Sequence, residues 1–283
     1  MNKICIIGVG LIGGSFALGL KSTKKIEIVG FGRSEVHLQQ AQKLGVIDAY
    51  SLDIVEALSG VELVLIATPV NSFKNILEMI KPHIGEQTIV SDVGSTKGSV
   101  IATAKEVFGA MPENFVPAHP IAGKEKSGVD AADGVLFNNK LVILTPTKNT
   151  NAHSVTQVRE LWETLGAKVE VMDSKTHDDL LAMTSHLPHM LAFSLMDYLT
   201  GNGKSVLDYA AGGFKDFSRI ASSDASMWRD ICFNNSDDIV KHIKGFQGSL
   251  DKIVDFIEKG KTQEIERLFI DAKTARDNWL KDK

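Results

Sequence analysis

A glycine-rich turn near the amino terminus constrains this chain more than any other stretch. The apolar run Ile4–Ile7 leads into three glycines in the spacing GxGxxG, and helix-forming residues follow. In such a strand–turn–helix unit, the first glycine permits the tight turn, the second lets a pyrophosphate approach the backbone, and the third lets the helix pack against the strand. We therefore predict a dinucleotide site rather than a turn of purely structural use. The residues predicted to line it are Gly8, Gly10, Leu11, Ile12 and Gly13.

Apolar runs alternate with helix-like segments as far as residue 173, which is the pattern of a parallel sheet with crossover helices. We predict an α/β domain over residues 1–173, with a Rossmann-type, doubly wound parallel sheet of about eight strands that becomes irregular late. One of these strands is predicted over residues 115–118. From residue 174 to residue 283 the strand pattern stops and amphipathic stretches follow, so we predict an all-helical second domain. The predicted helices cover residues 178–200, 213–221, 226–245 (continuing toward 259) and 262–281. Residues 251–283 look heptad-like enough to pack on a second subunit.

Composition excludes several classes of protein. A net charge of −4 gives no argument for nucleic acid or a membrane surface, and no apolar run approaches the length that spans a bilayer. Cys5 and Cys232 lie far apart and are predicted to be free thiols in a reducing compartment, the cytoplasm, rather than a disulfide or a metal site.

The end of the second predicted strand bears on the choice of cofactor. In Rossmann domains an acidic residue there binds the ribose hydroxyls, but this chain has Gly32, Arg33 and Ser34. No carboxylate repels a 2′-phosphate, and an arginine and a hydroxyl are available to bind one. We therefore favour NADP over NAD. The alternative is that Arg33 is a solvated residue that stacks on adenine, with either cofactor accepted.

Three further motifs follow predicted strands and are expected at the edge of the sheet where ligands bind. They contain Thr68 with Pro69, Ser95 and His119. We expect these side chains to converge around the nicotinamide. A neutral imidazole suits removal of a proton from an alcohol as hydride leaves its carbon, so His119 is the predicted base.

The helical half carries complementary groups. His186 and His189 lie three apart around Pro188, and an interior proline predicts a bend in the helix. Lys215 and Arg219 lie four apart on one predicted helix face, where they suit a carboxylate clamp. The alternatives are a simple kink beside surface histidines and a solvated charged face. No third ligand at helical spacing supports a metal site, so we predict none.

Five stretches resemble the prephenate/arogenate dehydrogenases of tyrosine biosynthesis, in that family's order and over most of the chain. They are GVGLIGGS at Gly8–Ser15, DVGSTK at Asp92–Lys97, HPIAGKEKSG at His119–Gly128, SHLPH at Ser185–His189, and GGFKDFSRIASSDASMW at Gly212–Trp228. The resemblance implies a Rossmann domain followed by a helical domain that forms a homodimer.

The resemblance also implies roles for individual residues. His119 matches the histidine that accepts the proton of the ring hydroxyl, and Ser95 the serine that assists there and positions the nicotinamide. Arg219 matches the arginine that binds a substrate carboxylate. The remaining matches are His189 and His186, which line the substrate site, Glu125 and Lys215, from an ionic network guarding the pocket, and Trp228, similar to an aromatic that reaches across the dimer.

The implied reaction is oxidative decarboxylation of prephenate, with arogenate as the alternative substrate and tyrosine as a possible inhibitor at the active site. Because of where the chain starts and ends, we expect neither a fused chorismate mutase domain nor an ACT domain. A β-hydroxyacid-type dehydrogenase would use Lys215 as its catalytic lysine and leave His119 unexplained. A non-catalytic redox sensor would not need His119, Ser95, His189 and Arg219 together.

Overall fold

The computed structural model of the protein describes residues 1–124, 126–201 and 204–281. A six-stranded parallel sheet forms the centre of the first half, with strands β1 Lys3–Ile7, β2 Glu27–Phe31, β3 Ala49–Ser51, β4 Leu63–Ile66, β5 Ile89–Asp92 and β6 Phe115–Val116. The helices between them are α1 Leu11–Thr23, α2 Glu35–Lys43, α3 Ile54–Ala57, α4 Phe73–Ile80 and α5 Gly98–Phe108. The doubly wound sheet predicted from the sequence is confirmed.

The apolar strands are buried on both faces, which explains why their sequences are continuously hydrophobic. In β1, Ile4 and Ile6 join one core cluster while Cys5 and Ile7 join the other. On the first face, the Trp162 ring packs edge-on against Phe16 at 4.9 Å between ring centroids. Burial raises the pKa of the Cys5 thiol to about 12, so this cysteine is an inert core residue.

The strand order is β3-β2-β1-β4-β5-β6. The chain therefore winds in opposite directions on the two sides of the β1–β4 pair, and this point of reversal opens a crevice beyond the carboxyl ends of the strands. The glycine turn follows β1, and Thr68 lies just after β4. The topology thus brings the first two predicted site motifs to adjacent strand ends.

A second, three-stranded sheet departs from the predicted single sheet. It contains β7 Ala118–Pro120, β8 Leu141–Leu144 and β9 Lys168–Val171, in that order, with β7 antiparallel to β8. The helix α6 Ala152–Thr164 lies between β8 and β9 in the chain. Pro117 separates β6 from β7, where one strand was predicted over residues 115–118. Its missing N–H removes a ladder donor, and its carbonyl instead accepts from Thr145 N at 2.9 Å.

The remaining helices begin with α7 Ser174–Leu181, α8 Leu187–Gly201, α9 Gly212–Ser218 and α10 Ala225–Asn234. Between α7 and α8 the chain makes a π-helical segment, Ala182–His186, in which Leu187 N donates to Ala182 O five residues back. Pro188 follows this donor and has no N–H to give, so the predicted disturbance of the helix takes the form of a π-bulge. The long helix predicted from residue 226 is wrong in one respect, because it ends at Asn234 and a new helix starts after Asn235.

The structure divides into two compact units, Met1–Ser236 and Asp237–Lys283. The second unit contains most of α11 Ser236–Glu258 and all of α12 Thr262–Lys281. Both helices carry large exposed apolar side chains, among them Val254, Ile257, Phe269 and Trp279. Over the described ranges, no helix has the length and apolar character needed to cross a membrane.

Candidate active site

The glycine turn after β1 has the geometry of a phosphate-binding turn. Gly8 has a φ of +95°, and a Cβ there would lie 2.8 Å from Ala67 O. A Cβ on Gly13 would lie 2.5 Å from Gly8 O, so this glycine is needed for the close approach of helix and strand. Around Gly10, by contrast, no described atom comes within 4 Å of a Cβ position. The open space at Gly10 is where an anion can approach the backbone.

The amino end of α1 suits the same anion. Gly10 is its N-cap, no described side chain caps it, and its first turn carries no acidic residue. The first N–H groups of a helix lack partners within the helix, and the helix dipole favours negative charge there. Leu11 and Ile12 provide two of these groups and are half-buried. The residues present therefore fit the pyrophosphate of a dinucleotide.

In the stretch after β2, Arg33 is exposed and Ser34 caps the next helix. The Ser34 hydroxyl accepts from His37 N at 3.4 Å as the N-cap of α2. Gly32 has no close neighbours, because the atoms nearest to a Cβ there would be Leu38 side-chain atoms at 3.7 to 3.9 Å. After β4, the Thr68 hydroxyl accepts from Ser72 Oγ at 2.8 Å, and Pro69 caps a short 3-10 turn.

A buried ion pair shapes the loop after β5 and the strand that holds His119. Lys97 and Asp92 are both fully buried and bonded to each other. Together they bind both backbone polar groups of Ala118. Lys97 Nζ donates to Ala118 O at 2.6 Å, and Ala118 N donates to Asp92 Oδ1 at 3.2 Å. Asp92 Oδ2 also accepts from Gly94 N at 2.7 Å, at the start of the turn that carries half-buried Ser95. The pair thus fixes the backbone next to both predicted catalytic residues.

His119 lies within β7 of the second sheet, paired with Ile143, rather than in a loop after a parallel strand as predicted. Its side chain is buried, and its Nδ1 lies 2.9 Å from His177 Nε2. His177 Nδ1 lies in turn 2.7 Å from Asp178 Oδ1. The three side chains form one continuous chain of hydrogen bonds, Asp178–His177–His119.

Asp178 is ionised and anchors this chain. Burial opposes its charge, but hydrogen bonds from His177, Lys97 N and Gly98 N outweigh that cost and hold the pKa of the carboxyl below its usual value. Lys97 N donates to Oδ1 at 2.8 Å and Gly98 N to Oδ2 at 2.7 Å, at the amino end of α5. An ionised carboxylate can only accept, so His177 donates from Nδ1. Burial lowers the pKa of His177, so its ring is neutral and its Nε2 must accept from His119.

The directions of these hydrogen bonds determine which ring nitrogen of His119 carries the proton. With the proton on Nδ1, its Nε2 keeps a lone pair and can accept a proton from a ligand. Burial lowers the pKa of His119 well below its ordinary value, and His177, Lys97 and His186 lower it further. His119 is therefore a neutral imidazole at physiological pH, poised as a base.

His186 and His189 both contact the Trp228 indole, within the same chain. His189 stacks on the ring at 3.7 Å between centroids, and His186 meets it edge-on at 5.9 Å. Trp228 Nε1 is buried and has no hydrogen-bond partner among the described residues, so this donor is available to a ligand. Burial lowers the pKa of His189, the hydrogen bond to Ser185 O acts against this shift, and the positive charge of Arg219 lowers the pKa further.

The two predicted cations do not share one regular helix. Lys215 is in α9, while Arg219 begins the 3-10 turn that follows, and both are exposed. Glu125 lies outside the described residues. Sequence reasoning missed His177, Asp178, Asp92 and Lys97, although the adjacent His177–Asp178 pair is itself a histidine–carboxylate signal. Within the described part of the chain, no group of three or more His, Cys, Asp or Glu side chains could hold a metal ion.

Comparisons with known proteins agree over nearly the whole chain. The model of the prephenate dehydrogenase nucleotide-binding domain matches residues 16–171, and that of the prephenate dehydrogenase dimerization domain matches residues 173–271. A prephenate dehydrogenase of Bacillus subtilis is 37% identical over 98% of this chain and 76% of the relative.

Two solved structures have the same fold over nearly the whole chain. The prephenate dehydrogenase of Aquifex aeolicus, in complex with hydroxyphenyl propionate and NAD+, has a TM-score of 0.93 at 36% identity, covering 98% of this chain and 97% of that one. The arogenate dehydrogenase of Synechocystis has a TM-score of 0.84 at 27% identity, covering 98% and 99%.

Proposed function

The chain belongs to the prephenate dehydrogenase family, and on that premise we propose that it oxidises and decarboxylates prephenate to 4-hydroxyphenylpyruvate, with NAD(P) as the hydride acceptor. The observation that carries the assignment of the base is the hydrogen-bond chain Asp178–His177–His119. It supports His119 Nε2 as the atom that takes the proton of the ring hydroxyl. We further propose a nucleotide-binding domain over residues 1–173 and a helical substrate-binding and dimerisation domain over residues 174–283.

In the proposed reaction His119 first accepts a proton from the substrate and later returns it. His119 Nε2 accepts the hydroxyl proton while the carbon that bears the hydroxyl becomes a carbonyl. The bound nicotinamide supplies the acceptor for the hydride that this carbon loses. The bond to the ring carboxylate then breaks, carbon dioxide leaves, and the bonding electrons make the ring aromatic. His119 returns its proton to the resulting phenolate oxygen, so the base is neutral again for the next turnover.

The surroundings of His119 support this use. When His119 is protonated, its Nδ1–H still donates to His177, and the ionised Asp178 carboxylate at the end of the same chain of hydrogen bonds stabilises the positive charge. Burial of the base limits competing water. Ser95, in the turn held by Asp92, is proposed to donate to the same hydroxyl and to position the nicotinamide.

The substrate carries two carboxylates, which need cationic and neutral donors. We assign one carboxylate to Arg219, because its charge acts on His189 and the guanidinium suits bidentate binding. His189, His186 and Trp228 are proposed to line the pocket around the substrate. Lys215 and Glu125 are proposed members of an ionic network at its edge.

The choice of cofactor follows from the end of β2. Gly32 offers no carboxylate to repel a 2′-phosphate, and Arg33 is exposed and able to reach one. We therefore propose NADP as the preferred acceptor, bound through the glycine turn with Thr68 and Pro69 beside it.

We also propose an oligomeric state, an inhibitor and a cellular location for the protein. Helices α11 and α12 are the candidate surface of a homodimer, since they carry exposed apolar side chains and α12 lies partly within the matched dimerization model. Tyrosine, which shares the 4-hydroxyphenyl ring and the side-chain carboxylate of the product but has an amino group in place of the keto group, is the proposed inhibitor at the active site. The proposed location is the cytoplasm, where free thiols such as Cys5 and Cys232 persist.

The test is reduction of nicotinamide by the purified protein with prephenate or arogenate, each with NAD or NADP. Turnover with prephenate and NADP exceeding the other three combinations is the expected result. Turnover with arogenate alone would replace the proposed substrate, and turnover with NAD alone would replace the proposed cofactor. Absence of reduction in all four would contradict the function itself.

A further inference from the structure

Asn235 is a buried polar residue at the break between α10 and α11, and the reaction proposed above assigns it no task. Its side chain is 7% exposed. Its Nδ2 donates to Asp178 O at 2.9 Å and also lies 3.3 Å from His186 Nδ1. The residue therefore connects the Asp178–His177–His119 chain with the histidines that surround Trp228.

The first contact fixes the orientation of the amide. Asp178 O is a backbone carbonyl and can only accept, so the atom that faces it must be the NH₂ group of Asn235 and not its oxygen. The same NH₂ group faces His186 Nδ1. A nitrogen that receives a donor must itself be an acceptor, so Nδ1 of His186 carries no proton.

The protonation state of His186 determines which of its ring nitrogens carries the proton. Burial lowers the pKa of His186 to about 4, with Asp178 acting against this shift and His177 and His189 adding to it. A neutral imidazole holds one proton, and with Nδ1 bare that proton is on Nε2. The hydrogen bond found for the His186 ring among the described residues is the one at Nδ1, so Nε2 is left to a ligand.

We infer that Asn235 is a positioning residue that holds His186 in the tautomer protonated at Nε2, so that the site meets its substrate with a neutral hydrogen-bond donor. The buried Nε1–H of Trp228, which has no described partner, adds a second neutral donor beside it. Two such donors suit a keto or carboxylate oxygen of the substrate. This last step rests on the proposed function, whereas the tautomer does not.

His189 shows the opposite arrangement, which makes the role of Asn235 specific. His189 Nδ1 lies 2.9 Å from Ser185 O, a carbonyl, so Nδ1 is the donor there. Because its pKa is lowered, chiefly by burial, His189 is neutral and its Nε2 is an acceptor. Two histidines one helical turn apart thus present opposite polarity, and each polarity is dictated by what Nδ1 contacts.

The direct test is the tautomer of His186 in the unmodified protein, read from ¹⁵N chemical shifts of the histidine rings. The signal of His186 is identified by its loss in the His186→Gln variant. At pH 7.5 we expect a protonated Nε2 and a bare Nδ1. A proton on Nδ1 would overturn the inference, and this readout requires neither substrate nor turnover.

The kinetic test uses Asn235→Asp, which has the same shape but replaces the donor by an acceptor. The carboxylate will draw a proton onto Nδ1 and raise the pKa of His186. Neutral His186 then presents a bare Nε2 to the substrate, whereas at acid pH the doubly protonated ring recovers the donor. The charged and titratable groups that also face His186 are Asp178, His177, His189 and His119, and they are unchanged.

We therefore expect Asn235→Asp to raise the KM for prephenate about tenfold at pH 8, as one lost hydrogen bond implies, and less at pH 6. Asn235→Ala removes both contacts without a new charge, so its smaller rise in KM should not depend on pH. Asn234→Ala, which alters the same helix end but lies outside this contact, should resemble the unmodified enzyme.

Equal KM values for the Asp and Ala variants at every pH would overturn the inference, since a merely structural role of Asn235 would affect both alike. In the His186→Gln background, Asn235→Asp should add no pH dependence, because the histidine that it controls is gone. If the unmodified protein does not turn over prephenate, the proposed function fails, and the NMR measurement still decides the tautomer.

Discussion

His119 Nδ1 lies 2.9 Å from His177 Nε2, and this contact determines which nitrogen of His119 can accept a proton. His177 can accept there only because Asp178 holds its other ring nitrogen as a donor. The Asp178 carboxylate therefore fixes the tautomer of His119 through two successive hydrogen bonds, while His119 itself stays neutral.

Replacing His119 by Asn should keep the fold and cofactor binding but lower kcat by about 10²–10⁴-fold, the usual contribution of a positioned base. The amide can still bond to His177 but cannot carry a proton away. Stopped-flow measurement of hydride transfer and titration with NADP provide the two readouts. Unchanged turnover would remove His119 from the mechanism, and lost NADP binding would indicate a damaged site instead.

Replacing Asp178 by Asn should also lower kcat, by a factor on the order of 10²–10⁴, without contact between this residue and the substrate. The amide NH₂ can donate to His177 Nδ1, which turns His177 Nε2 into a donor and leaves His119 protonated on the wrong nitrogen. Because Lys97 N and His177 Nδ1 both contact Oδ1, an NH₂ group in that position also opposes the Lys97 N–H, whereas the amide oxygen in the Oδ2 position still accepts from Gly98 N. A KM effect without a kcat effect would contradict this account.

The sequence was sufficient to predict those features of the site that depend on residues adjacent in the chain. The spacing of Gly8, Gly10 and Gly13 predicted both the turn and its distinct steric demands, because strand, turn and helix are adjacent in the chain. It was insufficient for the Asp178 bonds to Lys97 N and Gly98 N, which join residues 81 and 80 positions apart. Nothing in the periodicity of α7 indicates that its carboxylate caps α5.

Two errors in the predicted elements have the same origin. Residues 115–118 have the composition of one strand, but Pro117 and the contacts of Ala118 with Asp92 and Lys97 direct the chain into a second sheet. The apolar periodicity across residue 235 is that of one helix. The helix ends there, where Asn235 bonds to Asp178 O and His186, partners that periodicity does not reveal.

Removing the charge of Lys97 should move the acid limb of kcat/KM toward neutral pH. The lowered pKa of His119 comes first from burial and then from His177, Lys97 and His186. Without the Lys97 charge the pKa of His119 rises, so the base is protonated, and activity is lost, at a higher pH than in the unmodified enzyme.

Lys97→Met alone leaves buried Asp92 without its partner, a change that typically costs about 3–5 kcal/mol of stability. The double variant Asp92→Asn/Lys97→Met removes both charges and keeps an acceptor for Ala118 N, so it is the better protein for the pH profile. A profile that coincides with that of the unmodified enzyme would show that Lys97 does not act on His119.

The stability of the protein should fall as the pH drops below 6.5, in part because of His186. Burial lowers the pKa of His186 from 6.5 to about 4, so between these values the unfolded chain binds a proton that the folded chain excludes. The stabilisation is fully present above pH 6.5 and declines as the pH falls toward about 4, by about 3 kcal/mol in total. Urea unfolding at several pH values should give a shallower decline for His186→Gln, and an unchanged decline would contradict the assignment.

Cofactor choice should respond to the two residues after β2 in different ways. Arg33→Ala should raise the KM for NADP about tenfold and leave that for NAD unchanged, since a single charge-assisted contact to the 2′-phosphate is lost. Gly32→Asp should weaken NADP further by repulsion and improve NAD through the ribose hydroxyls. A Cβ at Gly32 fits without a clash, because the nearest atoms are those of Leu38 at 3.7 to 3.9 Å. Steady-state kinetics with both cofactors test the pair, and equal effects of Arg33→Ala on NAD and NADP would instead mean that Arg33 stacks on the adenine that the two cofactors share.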